Sequence, residues 1–228
     1  MSSSSAKDFF RGKGKRHKMP VLLELFSGTG SVGRAFRDLG WEVISVDNDP
    51  RANATFCCDV ATWDCSCLLG GIVDVIWASP PCTLYSKART TGSTTDDGLE
   101  ASDALVRRAL EIAEVLGNPP LFVENPYTGS LKLRGILDSL SLRVVDYCRY
   151  GMPYRKRTAI WTNTSWTPSQ PLCKKHDCPS SVNGKHIAIA QRGGGNGGPR
   201  FSQRELYRIP APLCDEIAQY CTTAVLSD

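Results

Sequence analysis

A doubly wound α/β fold built on one mainly parallel sheet is predicted by two features of this 228-residue sequence. Short apolar runs alternate with stretches of helical periodicity, and a glycine-rich turn follows the first apolar run and opens the first helical one. Residues 21–26 (Val-Leu-Leu-Glu-Leu-Phe) read as a buried strand, and 31–39 as a helix with Val32, Ala35 and Phe36 on one face. Residues 42–46 and 73–78 are further strands, and 101–116 carries apolar residues at helical spacing. Residues 121–123, 142–147 and 158–162 complete the strands, and a last helix is expected from about 211 to 222.

Two stretches interrupt this alternation. Residues 83–100 are polar, with Thr90-Thr91-Gly92-Ser93 at their centre, and are expected to form a mobile loop directly after Cys82. Residues 164–203 contain a run of glycines from Gly193 and are expected to form a small lobe without regular elements, inserted between a core at 20–163 and a returning segment at 204–228. Residues 1–19 hold four consecutive serines and a basic cluster, have almost nothing to bury, and are expected to be a disordered tail.

Composition narrows the function classes. With 41% hydrophobic and 22% charged residues, the chain can build one sizeable core. It contains no apolar run of the roughly 18 to 20 residues that a bilayer needs, so no membrane role is expected. Ten cysteines without a signal-like leader point to reduced thiols and an intracellular setting, the nucleus in a eukaryote and the cytoplasm otherwise. The net charge of +4 hides an asymmetry: residues 21–148 carry 10 basic and 17 acidic residues, whereas 149–208 carry 11 basic and two acidic ones. A basic segment beside an acidic body suggests a bound polyanion, with nucleic acid as the candidate and a solubilising surface as the alternative.

Several motifs carry chemistry. Gly28, Gly30 and Gly33 have the spacing of a nucleotide-binding turn at a helix N-terminus, and Asp47, nineteen positions after Gly28, is placed to accept from ribose hydroxyls. This turn alone fits NAD, FAD or S-adenosylmethionine, or a purely structural role. Asp59 could accept from an adenine amino group or cap a helix. The stiff Ser79-Pro80-Pro81-Cys82 turn presents a thiol at a strand end, where it is either a nucleophile or a small buried hydrophobe. Glu124-Asn125-Pro126 places a carboxylic acid at the same sheet edge, and Arg155 and Arg157, two apart on an extended chain, point the same way. Cys173, Cys178, His176 and His186 in the small lobe could bind zinc, although their spacing is not that of a standard finger.

The order Phe-x-Gly-x-Gly, strand-end acid, Pro-Cys with Ser86 four residues on, Glu-Asn and Arg-x-Arg resembles the cytosine C5 DNA methyltransferase family over residues 21–163. A weaker likeness lies in Tyr207 to Pro212. The resemblance implies a mixed sheet of the Rossmann-like methyltransferase type and S-adenosylmethionine beside Phe26, Ser27, Gly28, Thr29, Gly30, Asp47, Asn48, Asp59, Val60 and Pro80. It implies Cys82 as nucleophile, with Glu124, Arg157 and Arg155 holding a flipped cytosine of double-stranded DNA, and a loop after Cys82 whose Lys87 and Arg89 meet phosphates. A free thiol ionises near about pH 8.5, so neighbouring arginines are expected to favour its thiolate. The chain departs from the family, which usually has a glutamine two residues before its Arg-x-Arg pair, in a spacing one shorter with Tyr154 before Arg155, and in a recognition lobe of only about 40 residues. Specificity is then slight or supplied by a partner protein. Methylation of RNA cytosine, amino-methyl transfer at a Pro-Pro turn, and a silent nucleic-acid-binding module stay open as alternatives.

Overall fold

The structure, a computed structural model, describes residues 19–85, 96–191 and 198–227. The basic tail up to residue 18, Ser86, Lys87, Arg89 and residues 193–197 of the glycine run lie outside the described residues. Seven strands form one sheet: β1 (Val21–Leu25), β2 (Glu42–Asp47), β3 (Phe56–Cys57), β4 (Val75–Ala78), β5 (Leu121–Pro126), β6 (Ser141–Asp146) and β7 (Arg157–Thr162). Their order is β3-β2-β1-β4-β5-β7-β6. The first five neighbours are parallel, and β7 runs antiparallel to both β5 and β6, so the sheet is mixed. Strand order reverses at β1, which is flanked by β2 and β4. A sheet of this kind opens a crevice beyond the carboxyl ends of its strands at that reversal.

Helices α1 (Ser31–Asp38), α2 (Asp96–Val115), α3 (Gln203–Tyr207) and α4 (Ala211–Leu226) complete the described helices. Alternation along each strand sends successive side chains to opposite faces. Leu23, Leu25, Ile76 and Val123 pack with Val106, Ala109 and Ile112 of α2, whereas Leu22, Trp77 and Phe122 pack with Phe36 of α1 and Leu213 and Ile217 of α4. The central strands are therefore apolar on both sides, which explains the unbroken runs in the sequence.

Every expected strand and helix is present, with bounds moved for local reasons. Strand β4 begins at Val75, because the Asp74 carboxylate accepts the Val21 N–H at 2.7 Å and closes the edge there. Helix α2 begins at Asp96, so the last part of the expected 83–100 loop is helical; Asp96 and Asp97 sit in the first turn, where negative charge suits the helix dipole. Strand β5 runs through Glu124, Asn125 and Pro126 because β7 pairs with them at Ile160, Ala159 and Thr158. The inserted lobe contains a hairpin of β8 (Ser181–Val182) and β9 (Lys185–His186) where none was expected. Its turn residues Asn183 and Gly184 both have positive φ, 50° and 73°, the backbone that an Asn-Gly hairpin turn needs. Helix α3 was also unanticipated; Ser202 and Glu205 form a reciprocal capping box at its start. Among the described residues, no helix is long and apolar enough to cross a membrane.

Glu24 ties α1 to β1. Its carboxylate, 3% exposed, accepts the Gly33 N–H at 3.1 Å, and a side chain at Gly33 would collide with the same carboxylate. The third glycine of the turn thus serves helix-to-strand approach. Burial pushes the Glu24 pKa up from 4.5 to about 7, with the Gly33 N–H and Arg37 pulling it down and Asp47 pushing it up. Between those two values the folded state holds a proton that the unfolded chain has lost. Stability from this group therefore falls as pH rises through the window, by on the order of 3 kcal/mol, and levels off above it. Glu24→Gln is expected to flatten that fall in urea midpoints measured from about pH 5 to pH 8. A variant that keeps the wild-type slope removes Glu24 as its source.

Candidate active site

A cleft of about 280 Å³ opens at the carboxyl ends of β1, β2, β4 and β5. One wall is the turn from Phe26 to Thr29. Phe26, Gly28 and Gly30 all have positive φ (56°, 51° and 64°), and Gly30 is the left-handed N-cap of α1 without any side-chain cap. No acidic residue stands in the first turn of α1, whose N-terminal end borders the cleft at Ser31 and Val32 and receives the Glu24 carboxylate of β1 at Gly33.

Asp47, Asn48 and Asp49 form a second wall. The Asp47 carboxylate accepts the Gly28 N–H and the Asp49 N–H, both at 2.8 Å, and so fixes the glycine turn against the end of β2. Asp59 and Val60 are not brought to the cleft wall. Asp59 is exposed and accepts the Ala61 N–H at 2.9 Å as a turn cap, and Val60 is buried in the core on the α2 side.

The third wall holds the Pro-Pro-Cys turn and the end of β5. Pro80, Cys82, Glu124 and Asn125 all line it. Asn125 donates from Nδ2 to the Pro80 carbonyl at 3.0 Å, a buried bond that couples the cysteine turn to β5. Glu124, 7% exposed, accepts from the Tyr147 hydroxyl at 3.1 Å. The chain after Cys82 is pinned at Tyr85, whose hydroxyl donates to the buried Asp103 at 2.7 Å; Arg134 donates to the same carboxylate.

The arginines do not take the positions the sequence suggested. Lys156, not Arg155 or Arg157, lines the cleft, and its ammonium donates to the Leu206 carbonyl at 3.1 Å. Arg157 makes a two-pronged ion pair with the buried Asp146 at 2.9 and 2.7 Å, and Arg155 is exposed. Arg157 opens β7 and belongs to the alternating set of Ala159 and Trp161, which pack on the α2 side, where Asp146 holds it. Burial, with the Glu124 charge, pushes the Cys82 thiol up, and Lys156 is the charge that pulls it down. The cation expected to favour the thiolate is thus a lysine. Lys156 and Tyr147 were not among the residues that the sequence suggested; Lys156 sits between the two arginines, just before β7 begins.

The residues present suit an adenosyl cofactor. Ser27 Oγ and Asn125 Oδ1 are buried and have no partner, and both belong to the cleft wall. Buried polar atoms are nearly always satisfied, so orphans on two walls of the cleft are groups that a ligand bound there would satisfy. Tyr207 and Ile209, from the segment of weaker family likeness, also line the cleft.

The metal-ligand group differs from the expected one. Cys148, Cys173, Cys178 and His186 come together, with ligand atoms all within 4.8 Å of one another. His176 is exposed and stays outside, and Cys148, from the turn after β6, stands in its place.

No family model matches the chain. Among solved structures it is similar to the Dnmt2 methyltransferase of S. pombe (TM-score 0.47, 16% identity, 70% of this chain) and to the methyltransferase EhMeth of Entamoeba histolytica (TM-score 0.44, 14% identity, 69% of this chain). The chain spans 58% of each of those proteins. Its sequence is 35% identical over 218 residues to the Probable DNA (cytosine-5)-methyltransferase of Frog virus 3 (isolate Goorha), taking in 88% of this chain and 99% of that protein. At that identity and reach, the chain belongs to the DNA (cytosine-5)-methyltransferase family.

Proposed function

We propose that this chain methylates C5 of a cytosine in double-stranded DNA, using S-adenosylmethionine and a transient bond from Cys82 to C6 of a flipped base. The observation that carries the reading is the single cleft in which the glycine turn, Cys82, Glu124 and Lys156 meet. S-adenosylmethionine, when bound, supplies an electrophilic methyl group. The residues to hold it are Phe26, Ser27, Gly28, Thr29, Gly30, Asp47, Asn48 and Pro80, with Tyr207 and Ile209 also lining the cleft.

Cytosine C5 is a poor nucleophile, so the chain must raise its electron density. Addition of the Cys82 thiolate at C6 does so, and loss of the C5 proton with departure of Cys82 afterwards restores the ring. Glu124 eases the addition by donating a proton to ring N3, with Oε1 already occupied by Tyr147. Against the Glu124 charge, which holds the Cys82 thiol up, Lys156 is the cation that favours its thiolate. Lys156 then replaces the expected arginine in stabilising negative charge that grows on the pyrimidine. Arg157, bound to Asp146, keeps the start of β7 in place and thereby aims Lys156. The basic segment from 149 to 208 fits a phosphate backbone alongside the cleft. The group of Cys148, Cys173, Cys178 and His186 is read as a structural zinc centre apart from this chemistry.

Labelled S-adenosylmethionine incubated with duplex DNA, single-stranded DNA or RNA tests the reading. Label at cytosine C5 of duplex DNA is expected, with transfer by Cys82→Ala reduced to background. Label on an exocyclic nitrogen would move the chain to amino-methyl transfer, and label at C5 that survives Cys82→Ala would falsify the covalent step. Lys156→Met is expected to lower kcat/KM at pH 7 by about 10- to 100-fold and to shift the alkaline rise of the pH profile upward. An unchanged profile would deny Lys156 its role in ionising the thiol.

A further inference from the structure

We propose that Cys148, Cys173, Cys178 and His186 bind one zinc ion, and that this ion is the core of the small lobe and its anchor to the sheet. The spacing is Cys-x24-Cys-x4-Cys-x7-His, so the first ligand comes from the turn between β6 and β7 and the other three from the lobe itself.

The ligand-bearing part of the lobe buries its thiols and leaves its large aliphatic side chains exposed. Leu172, Val182, Ile187 and Ile189 are 43%, 62%, 52% and 42% exposed, whereas Cys148, Cys173 and Cys178 are 2%, 7% and 6% exposed and form a buried cluster of their own. A segment held by hydrophobic packing would bury the aliphatic side chains and leave the thiols to chance. Segments too small for an apolar core are commonly organised by metal instead, and three thiolates with one imidazole are a borderline-soft set that suits zinc. Simple packing of cysteines as small hydrophobes does not account for the imidazole: His186 Nε2 lies 3.4 Å from Cys173 Sγ.

Geometry supports coordination. Tetrahedral bonds of about 2.3 Å to sulfur and about 2.0 Å to nitrogen place ligand atoms about 3.5 to 3.8 Å apart. The four atoms already lie within 4.8 Å of one another, so small side-chain rotations close the shell. Four protein ligands leave no open position, which is the pattern of a structural site.

The surroundings tie this centre to the sheet. The Asp146 carboxylate accepts the Cys173 N–H at 2.9 Å through the oxygen that also binds Arg157 at 2.7 Å. Arg149 donates to the Asp177 carbonyl at 2.6 Å, and Ser180 donates to the Met152 carbonyl at 2.7 Å. A metal at the four ligands would lock these contacts together and hold the lobe against the start of β7.

The test uses the full chain purified under reducing conditions without chelator. Elemental analysis is expected to find about one zinc per chain in the wild type and in His176→Ala, and under about a tenth of that in Cys148→Ser and Cys173→Ser. Wild-type protein exchanged into cobalt is expected to show charge-transfer absorption with the intensity of three thiolates, a reading that needs no variant to fold. Protein that holds no zinc and binds no cobalt overturns the proposal. Two-thiolate intensity does so as well, as does zinc lost in His176→Ala but kept in Cys148→Ser.

Discussion

One buried hydrogen bond, from Asn125 Nδ2 to the Pro80 carbonyl, sets the relation between the two halves of the cleft. Backbone pairing of β4 and β5 ends at Ala78 and Val123, before either reactive segment begins. Beyond that point the Pro-Pro-Cys turn has few ways to be fixed. Proline supplies no N–H, so a turn built on Pro80 and Pro81 must be held through its carbonyls or its packing. Asn125 provides the carbonyl contact, and it can do so because β7 keeps residues 124 to 126 extended. The antiparallel strand therefore governs the distance between Cys82 and Glu124 without touching Cys82.

Charge in the cleft is balanced by burial. Glu24 and Cys82 are two acids lining one cleft, and taking them from water favours their neutral forms. For Glu24 and Cys82 that pressure appears as raised pKa values. Lys156 is the cation on the cleft wall, and its ammonium lies over the Tyr147 ring, 4.9 Å from the ring centre. The same ring carries the hydroxyl that meets Glu124. Tyr147 thus joins cation and acid through one rigid side chain.

Much of this was legible in the sequence, and the limits were physical. The apolar runs of β1 and β4 and the glycine turn are local signals, and each gave its element directly. The joint placement of Cys82 and Glu124 at one sheet edge followed from strand ends. What the sequence withheld were quantities set by distant partners. Whether Arg157 or Lys156 faces the cleft depends on the register of β7 against Asp146, which no local pattern declares. Cys148 could not be joined to Cys173 and Cys178 from spacing, because 24 residues and a strand intervene. The hairpin at Asn183-Gly184 and the capping box at Ser202 and Glu205 were different: their signals are local and were simply outweighed by the glycine-rich surroundings.

The last helix has a consequence for how the protein is made. α4 packs on α1, the first of the described helices, and Trp41 at the entry to β2 donates to Thr222 at 2.8 Å. Tyr207 and Ile209, which line the cleft, immediately precede it. During synthesis the glycine turn, Cys82 and Glu124 leave the ribosome long before that segment. Until α4 docks, the α1 side of the sheet is an open apolar groove, and the cleft lacks Tyr207 and Ile209 from its lining.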